Sequence, residues 1–306
     1  MTDGVSILGI FVADLAFRSG RMPAVGETIM GSGFAMGPGG KGSNQAVAAA
    51  RAGAKTRFIS RLGQDSFGDI ALATWAAEGI DAKVVRSPHA PTGAAFIYVN
   101  DVNGENAIIV VPGAAGDISV ADVEAAAETI RSSRVFVTQL EQPAEAALAA
   151  LKIARGAGVT TVFNPAPAAP FDPAIYPLVD YITPNESETA AMVGFPVETI
   201  DDAKRAGDVL LKKGVGVALI TLGEKGALFH AKDRSVLVPA FHVASVVETA
   251  GAGDAFNGGF AAALAEGREP LAAARFGCAV AGIAVTRAGT APAMPHRAEV
   301  DALLNR

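Results

Sequence analysis

One cysteine, one tryptophan and four histidines are all that 306 residues supply of three side-chain types often enlisted for metals, redox chemistry or stacking. A lone cysteine excludes an internal disulfide and fits a reducing compartment. His89, His230, His242 and His296 have no zinc-ligand spacing and read as ordinary surface or core residues. Charge is scarce as well: Asp, Glu, Lys and Arg make up 18% of the chain, and the net charge is -6. Without a basic cluster, a surface for nucleic acid is not expected. No run approaches about 18 consecutive apolar residues, so no membrane span is expected. The opening Met1-Thr2-Asp3-Gly4 carries an acid where a secretory signal would carry basic charge, which suggests a cytoplasmic location.

Hydrophobic side chains are plentiful, at half of the composition, enough for a large buried core. They fall into short β-branched runs that alternate with Ala-rich helical stretches. Strands are predicted at Val5–Val12, Thr56–Ser60, Arg134–Thr138, Val159–Phe163, Tyr181–Thr183 and Val217–Thr221. Helices are predicted at Ser43–Arg51, Phe67–Glu78, Ala144–Arg155, Ala203–Lys213, Ala255–Glu266 and Leu271–Thr286. Ser119 with Asp122 marks a further helix start of the capping-box kind. This alternation predicts an α/β fold with a largely parallel sheet covered on both faces by helices.

Two segments break the rhythm. Leu15–Met36 has no helical period, and Gly31–Met36 makes a poor strand. Ala94–Val111 reads as a hairpin turning at Asn100–Asn106. The expectation is one domain over 1–306 with a small β-sheet lid drawn from about 14–36 and 94–111. Such a flap would cover a site or pair with another subunit through its edge.

Two glycine clusters carry chemistry. Gly37-Pro38-Gly39-Gly40-Lys41-Gly42-Ser43-Asn44 contains a formal G-x-G-x-x-G, but the clear strand that a dinucleotide fingerprint needs lies far upstream. Lys41 is followed by Gly, so the cluster is no Walker A loop either. It reads as a backbone cradle that approaches a polyhydroxylated ligand closely, or as a glycine loop serving only a tight turn. In the second cluster, Thr249–Gly259, small residues open a helix. The amides of Ala252, Gly253 and Asp254 would point outward as an anion hole. A carboxylate inside an anion hole makes sense as a base that takes a hydroxyl proton while the amides hold a phosphoryl group. The bland alternative is a capping Asp with packing glycines.

Gly39-Gly40-Lys41-Gly42-Ser43-Asn44 together with Gly251-Ala252-Gly253-Asp254 resembles the paired signatures of the ribokinase-like (PfkB) carbohydrate kinases. Asn164-Pro165-Ala166-Pro167-Ala168, Thr183-Pro184-Asn185-Glu186-Ser187-Glu188 and Ile220-Thr221-Leu222-Gly223 extend the resemblance over nearly the whole chain. It implies an ATP-dependent sugar kinase with Asp254 as base and the Ala252–Asp254 amides as anion hole. Asp14, Gly39, Gly40, Lys41, Asn44 and Glu141 would hold the sugar. Asn185 would act near the phosphates and Glu188 near Mg²⁺, largely through water. Thr221, Gly223 and Gly226 would shape the nucleotide pocket, with Cys278 near the adenine. A monovalent cation, usually K⁺, would sit near Glu248, Ala250, Ala284, Arg287 and Gly289. A homodimer through the β-lid is also implied.

The sequence departs from that pattern in four places. Ile10 and Val12 stand where ribokinases usually carry Ser and Asn, so two polar contacts near the sugar are missing. Glu248 replaces a common Asp, and Ala293 a Ser that often helps bind K⁺. The expected acceptor is the 5-hydroxyl of D-ribose, with a ketohexose, sugar acid or nucleoside as alternatives on the same fold. A non-catalytic sugar-binding protein on this fold and a dinucleotide oxidoreductase are the rival classes. Other features read blandly. Cys278 is a packed core thiol, Trp75 is packing, and Asp101–Glu105 is a hairpin turn. Lys204, Arg205, Lys212 and Lys213 form a solvated helix face.

Overall fold

The structure is a computed structural model that describes residues 2–243 and 245–305. Its first strand, β1 (Val5–Leu8), is wholly buried, as its nearly continuous apolar run, broken only by Ser6, demands of a central strand. The run does not continue as one strand to Val12. The chain turns at Gly9-Ile10-Phe11 and enters β2 (Val12–Ser19) in a different sheet. Next come β3 (Gly33–Gly39), α1 (Lys41–Arg51), β4 (Thr56–Gly63), α2 (Ser66–Ala77) and β5 (Asp81–Ser87). The hairpin is β6 (Thr92–Asn100) and β7 (Asn106–Gly113), with Gly104 at φ 74° in its turn. Helices α3 (Val120–Ala125) and α4 (Ala127–Arg131) lead to β8 (Val135–Thr138), and Ser119 and Asp122 form the expected capping box.

The second half runs α5 (Ala144–Gly156), β9 (Thr160–Phe163), β10 (Tyr181–Ile182), α6 (Glu186–Val193), α7 (Ile200–Lys212) and β11 (Val217–Thr221). A hairpin of β12 (Ala227–His230) and β13 (Ser235–Val238) precedes the closing helices α8 (Ala252–Ala265), α9 (Pro270–Ala284) and α10 (Arg297–Leu304). Lys213 and Arg205 at the end and flank of α7 are not merely solvated. The Lys213 ammonium lies 4.9 Å from the Tyr176 ring centroid and donates to the Met192 carbonyl, while Arg205 covers Phe195.

The large sheet has the order β13-β12-β11-β10-β9-β8-β1-β4-β5. It is parallel from β11 to β5 and closed by the antiparallel β12 and β13. Strand alternation sends side chains to two cores. Val135 and Val137 of β8 join α1, α8 and α9, whereas Phe136 joins α5 and α7 on the other face. Trp75 belongs to the first core: it is fully buried, edge-on to Phe11, and its indole N–H donates to Ser43 Oγ at 2.9 Å.

The smaller sheet has the order β3-β2-β6-β7, with β2 antiparallel to β3 and parallel to β6. Gly33–Gly39 is therefore a genuine strand, contrary to its glycine-rich composition. It belongs to this side sheet and not to a βαβ unit, so the dinucleotide reading of Gly37–Gly42 lacks its structural context. Helices α1 and α8 pack tightly across the first core. A side chain at Gly258 would bring its Cβ within 2.5 Å of both Ala48 Cβ and the Gln45 carbonyl oxygen.

Candidate active site

Going outward from β1, strands β4 and β5 lie on one side and β8 to β11 on the other. The order thus reverses between β1 and β8, a switch point of the kind beyond which α/β sheets bind ligands. Beyond the carboxyl ends of β9, β10 and β11 lies a cavity of about 210 Å³. Asn164, Thr183 and Thr221 reach it from those strand ends, Lys41 from α1, Asn185 and Glu188 from α6, and Gly253 and Asp254 from α8.

The cradle begins at Gly40, whose φ of 90° lets the chain leave β3 and start α1 at Lys41. The Asp14 carboxyl lies against the Gly39 backbone and occupies the space that a side chain there would need. Burial, the Asp254 charge and Glu248 together push Asp14 up to about 6. Glu141, in the loop after β8, accepts from the Lys41 backbone N–H at 2.7 Å. Burial pushes Glu141 up to about 7, against the pull of Lys41. The Lys41 ammonium, although buried, is held above its ordinary value because Asp254, Glu141 and Glu188 surround it.

Gly251 caps α8 in the left-handed region, at φ 77°, without any side-chain cap. The first backbone bond of the helix runs from Ala255 N–H to Gly251 O, which leaves the Gly253 and Asp254 amides ahead of it. The Ala252 amide differs from expectation, for it donates to Thr249 O at 3.1 Å. Asp254 is 6% exposed. Its Oδ2 accepts from Asn44 Nδ2 at 3.0 Å and its Oδ1 from Gln45 Nε2 at 3.1 Å. Desolvation raises its pKa, while Lys41 and the two amides oppose that rise. Among the described residues, Asn44 Oδ1 is buried and has no hydrogen-bond donor.

Other expected residues fall into place less directly. Asn185 and Glu188 form a reciprocal cap of α6, which engages one Glu188 oxygen with the Asn185 backbone N–H. Burial raises the Glu188 carboxyl. Gly226 packs against Val238–Ala240 at the β12–β13 hairpin and does not line the cavity, while Gly223, at φ 53°, starts the turn after Thr221. Cys278 is buried in α9, its thiol pushed up to about 12 by burial. Glu248 Oε2 accepts from Gly289 N–H at 2.7 Å, which brings together two segments expected near a cation. The Arg287 side chain pairs with Glu299, and its backbone N–H donates to Ala284 O. Ala250 is exposed. Among the described residues, no cluster of three or more His, Cys, Asp or Glu could hold a metal by side chains alone.

Four polar residues had no assigned role in the sequence. Gln45, Asn164, Thr183 and Asn257 form a buried chain of hydrogen bonds beneath the Asp254 carboxylate. The signal was the amides themselves, since Gln45 lies in a helix buried from Gly42 to Ala49 and must find partners there.

Sheet, cradle and buried carboxylate together are those of an ATP-dependent carbohydrate kinase, and comparison with known proteins agrees. The pfkB family carbohydrate kinase profile matches residues 2–297. The chain is 39% identical over 300 residues to a ribokinase of Haemophilus influenzae, covering 98% of this chain and 97% of that one. It is 36% identical over 293 residues to a deoxyribokinase of Salmonella typhi, covering 95% of each. Its structure matches that of Arabidopsis thaliana ribokinase complexed with ribose and ATP, with a TM-score of 0.93, 30% identity and full coverage of both chains. The chain belongs to the pfkB family of carbohydrate kinases.

Proposed function

We propose that this kinase phosphorylates the 5-hydroxyl of ribose or a closely related pentose, with Asp254 as general base. The observation that carries the reading is the placement of a buried carboxylate in the same helical turn as two amides that open on one cavity. The acceptor hydroxyl gives its proton to Asp254 as its oxygen bonds to the γ-phosphorus, and the bond from that phosphorus to the ADP leaving oxygen breaks. The Gly253 and Asp254 amides offset charge on the moving phosphoryl group, and the Ala252 amide joins them once its turn bond to Thr249 is released. Asn44 Oδ1, Asp14, Glu141, Lys41 and the backbone at Gly39 and Gly40 face the sugar's hydroxyls. A buried acceptor without a partner, such as Asn44 Oδ1, suits a ligand O–H.

Bound Mg²⁺ would neutralise charge on the phosphate oxygens. Asn185 and the free oxygen of Glu188 would reach it through water, a fit consistent with a single carboxylate in that part of the cavity. Thr221, Gly223 and Gly226 would shape the nucleotide side, with Cys278 behind the adenine. A monovalent cation would lie between the Glu248–Ala250 and Ala284–Gly289 segments, bound mainly by carbonyls. The side sheet would serve as a lid over the sugar and as a homodimer contact. Phe17, Phe34, Met36, Ile109 and Val111 share one face of it by register and are exposed there.

Val12 supports a second reading of the acceptor. It sits two residues before Asp14 on β2, hence on the same face, and it is buried and apolar. A pentose lacking one hydroxyl would leave nothing unpaired against it. Turnover of MgATP across a panel of ribose, 2-deoxyribose, ketohexoses and nucleosides, with and without K⁺, tests both readings. Pentoses should dominate, and strong turnover of only a hexose or nucleoside would overturn both.

A further inference from the structure

We infer that Gln45 is a positioning residue for the base: it fixes the plane of the Asp254 carboxylate and helps keep it ionised. The inference rests on the reading of Asp254 as base and adds a residue that does not touch the sugar cradle's open side.

The geometry leaves the Gln45 amide a single orientation. Its Nε2 donates to Asp254 Oδ1 at 3.1 Å and to Asn164 Oδ1 at 3.2 Å, while its Oε1 accepts from Gln139 Nε2 at 2.6 Å. Rotating the amide by half a turn would set its oxygen against two acceptors and its nitrogen against a donor, so all three bonds would be lost. Each partner is held in turn. Asn164 Nδ2 donates to Thr183 O at 2.8 Å, Thr183 Oγ1 donates to Asn257 Oδ1 at 2.6 Å, and Asn257 Nδ2 donates to Gly253 O at 2.9 Å. Every side chain in this chain is buried. The network begins after β8, crosses α1 and the ends of β9 and β10, and closes on the first turn of α8.

Two neighbouring residues of α1 thus hold the two oxygens of one carboxylate, Asn44 on Oδ2 and Gln45 on Oδ1. Their tasks differ. Asn44 also has an unpaired oxygen for the acceptor, whereas Gln45 has spent every donor and acceptor on the protein. With both bonds in place, the carboxylate cannot spin about its Cβ–Cγ bond. A defined lone pair therefore meets the acceptor hydroxyl. Both bonds also favour the anion in a site where desolvation favours the acid. Other charges face Asp254 from every side: Lys41 of α1, Asp14 of β2, Glu141 after β8 and Glu188 of α6. All of them remain in a Gln45 variant, so a difference between variant and parent reports Gln45 itself.

The test is the pH dependence of kcat and of sugar KM for the parent, Gln45→Met and Asp254→Asn. Gln45→Met should lower kcat about ten- to a hundredfold, change sugar KM by less than about threefold, and move the acidic limb of kcat to higher pH. An unmoved limb with unchanged kcat, or a loss confined to KM, overturns the inference. If Gln45→Met does not fold, Gln45→Glu keeps the shape and adds a second acid beside the base. Its acidic limb must then also move to higher pH, and a limb at the parent position overturns the inference equally. Asp254→Asn separates the two levels. If it retains the parent's turnover, the base reading itself fails, and if it abolishes turnover while both Gln45 variants behave like the parent, only the role of Gln45 fails.

Discussion

The backbone N–H of Lys41 donates to Oε2 of Glu141 at 2.7 Å, tying the first turn of α1 to the loop after β8. Glu141 is buried and close to two other acids, so it holds its proton up to about 7, and Asp14 holds its own up to about 6. In the unfolded chain both would titrate near pH 4. Between those values the folded protein binds more protons than the unfolded chain, so stability falls as pH rises. The Tm of the ligand-free protein should therefore decline from roughly pH 5 to roughly pH 7.5, and Glu141→Gln should flatten that slope. Thermal melts over that range check it; identical slopes in both proteins would contradict the raised value for Glu141.

Asp254→Asn keeps the shape of the base and removes its proton affinity. Turnover should drop about 10²- to 10⁴-fold while the sugar still binds. Steady-state kinetics with isothermal titration of the sugar separate the two, and an unchanged kcat would remove Asp254 from the mechanism.

Val12→Asn restores a polar contact beside Asp14. The ratio of kcat/KM for ribose over 2-deoxyribose should rise about five- to a hundredfold, the range expected when one buried hydroxyl gains or loses its partner. Competition between the two sugars measures the ratio directly. A ratio that stays put would mean that β2 does not read this part of the acceptor.

The Glu248 side chain accepts from Gly289 N–H, and its backbone N–H donates to Val285 O, so it ties down the loop ending at Gly289. Glu248→Ala should raise the K⁺ concentration for half-maximal activation about tenfold or more, as loss of an outer-shell partner does at other ion sites. Saturating K⁺ should recover much of the rate. An activation curve identical to the parent's would place the cation elsewhere or nowhere.

Much of this was legible in the sequence, for identifiable reasons. The strand Val217–Thr221 and the helix starting at Ala144 follow from simple periodicity, and both appear where expected. The two glycine clusters pointed to one place because each opens a helix with small residues around a single charged side chain, and the structure sets Lys41 and Asp254 on the same cavity. Other features were hidden. Val5–Val12 reads as one strand because both sides of the bend at Gly9-Ile10-Phe11 are buried, and an apolar run carries no mark of a change of sheet. Gly33–Gly39 looks unlike a strand because its stability comes from seven paired residues of β2, a partner that composition cannot reveal. The Gln45 network escaped for a similar reason: its partners lie 94 to 209 residues away.

The contact of Gly258 with Ala48 and Gln45 has a meaning beyond packing. Helix α8 carries Asp254, and α1 carries the two amides that bond its carboxylate. The spacing between the two helices is therefore the gauge that sets the carboxylate against its amides, and it is calibrated by a missing methyl group. Any side chain at position 258 would act as a shim, pressing on α1 from one turn along the same face of α8 that carries Asp254.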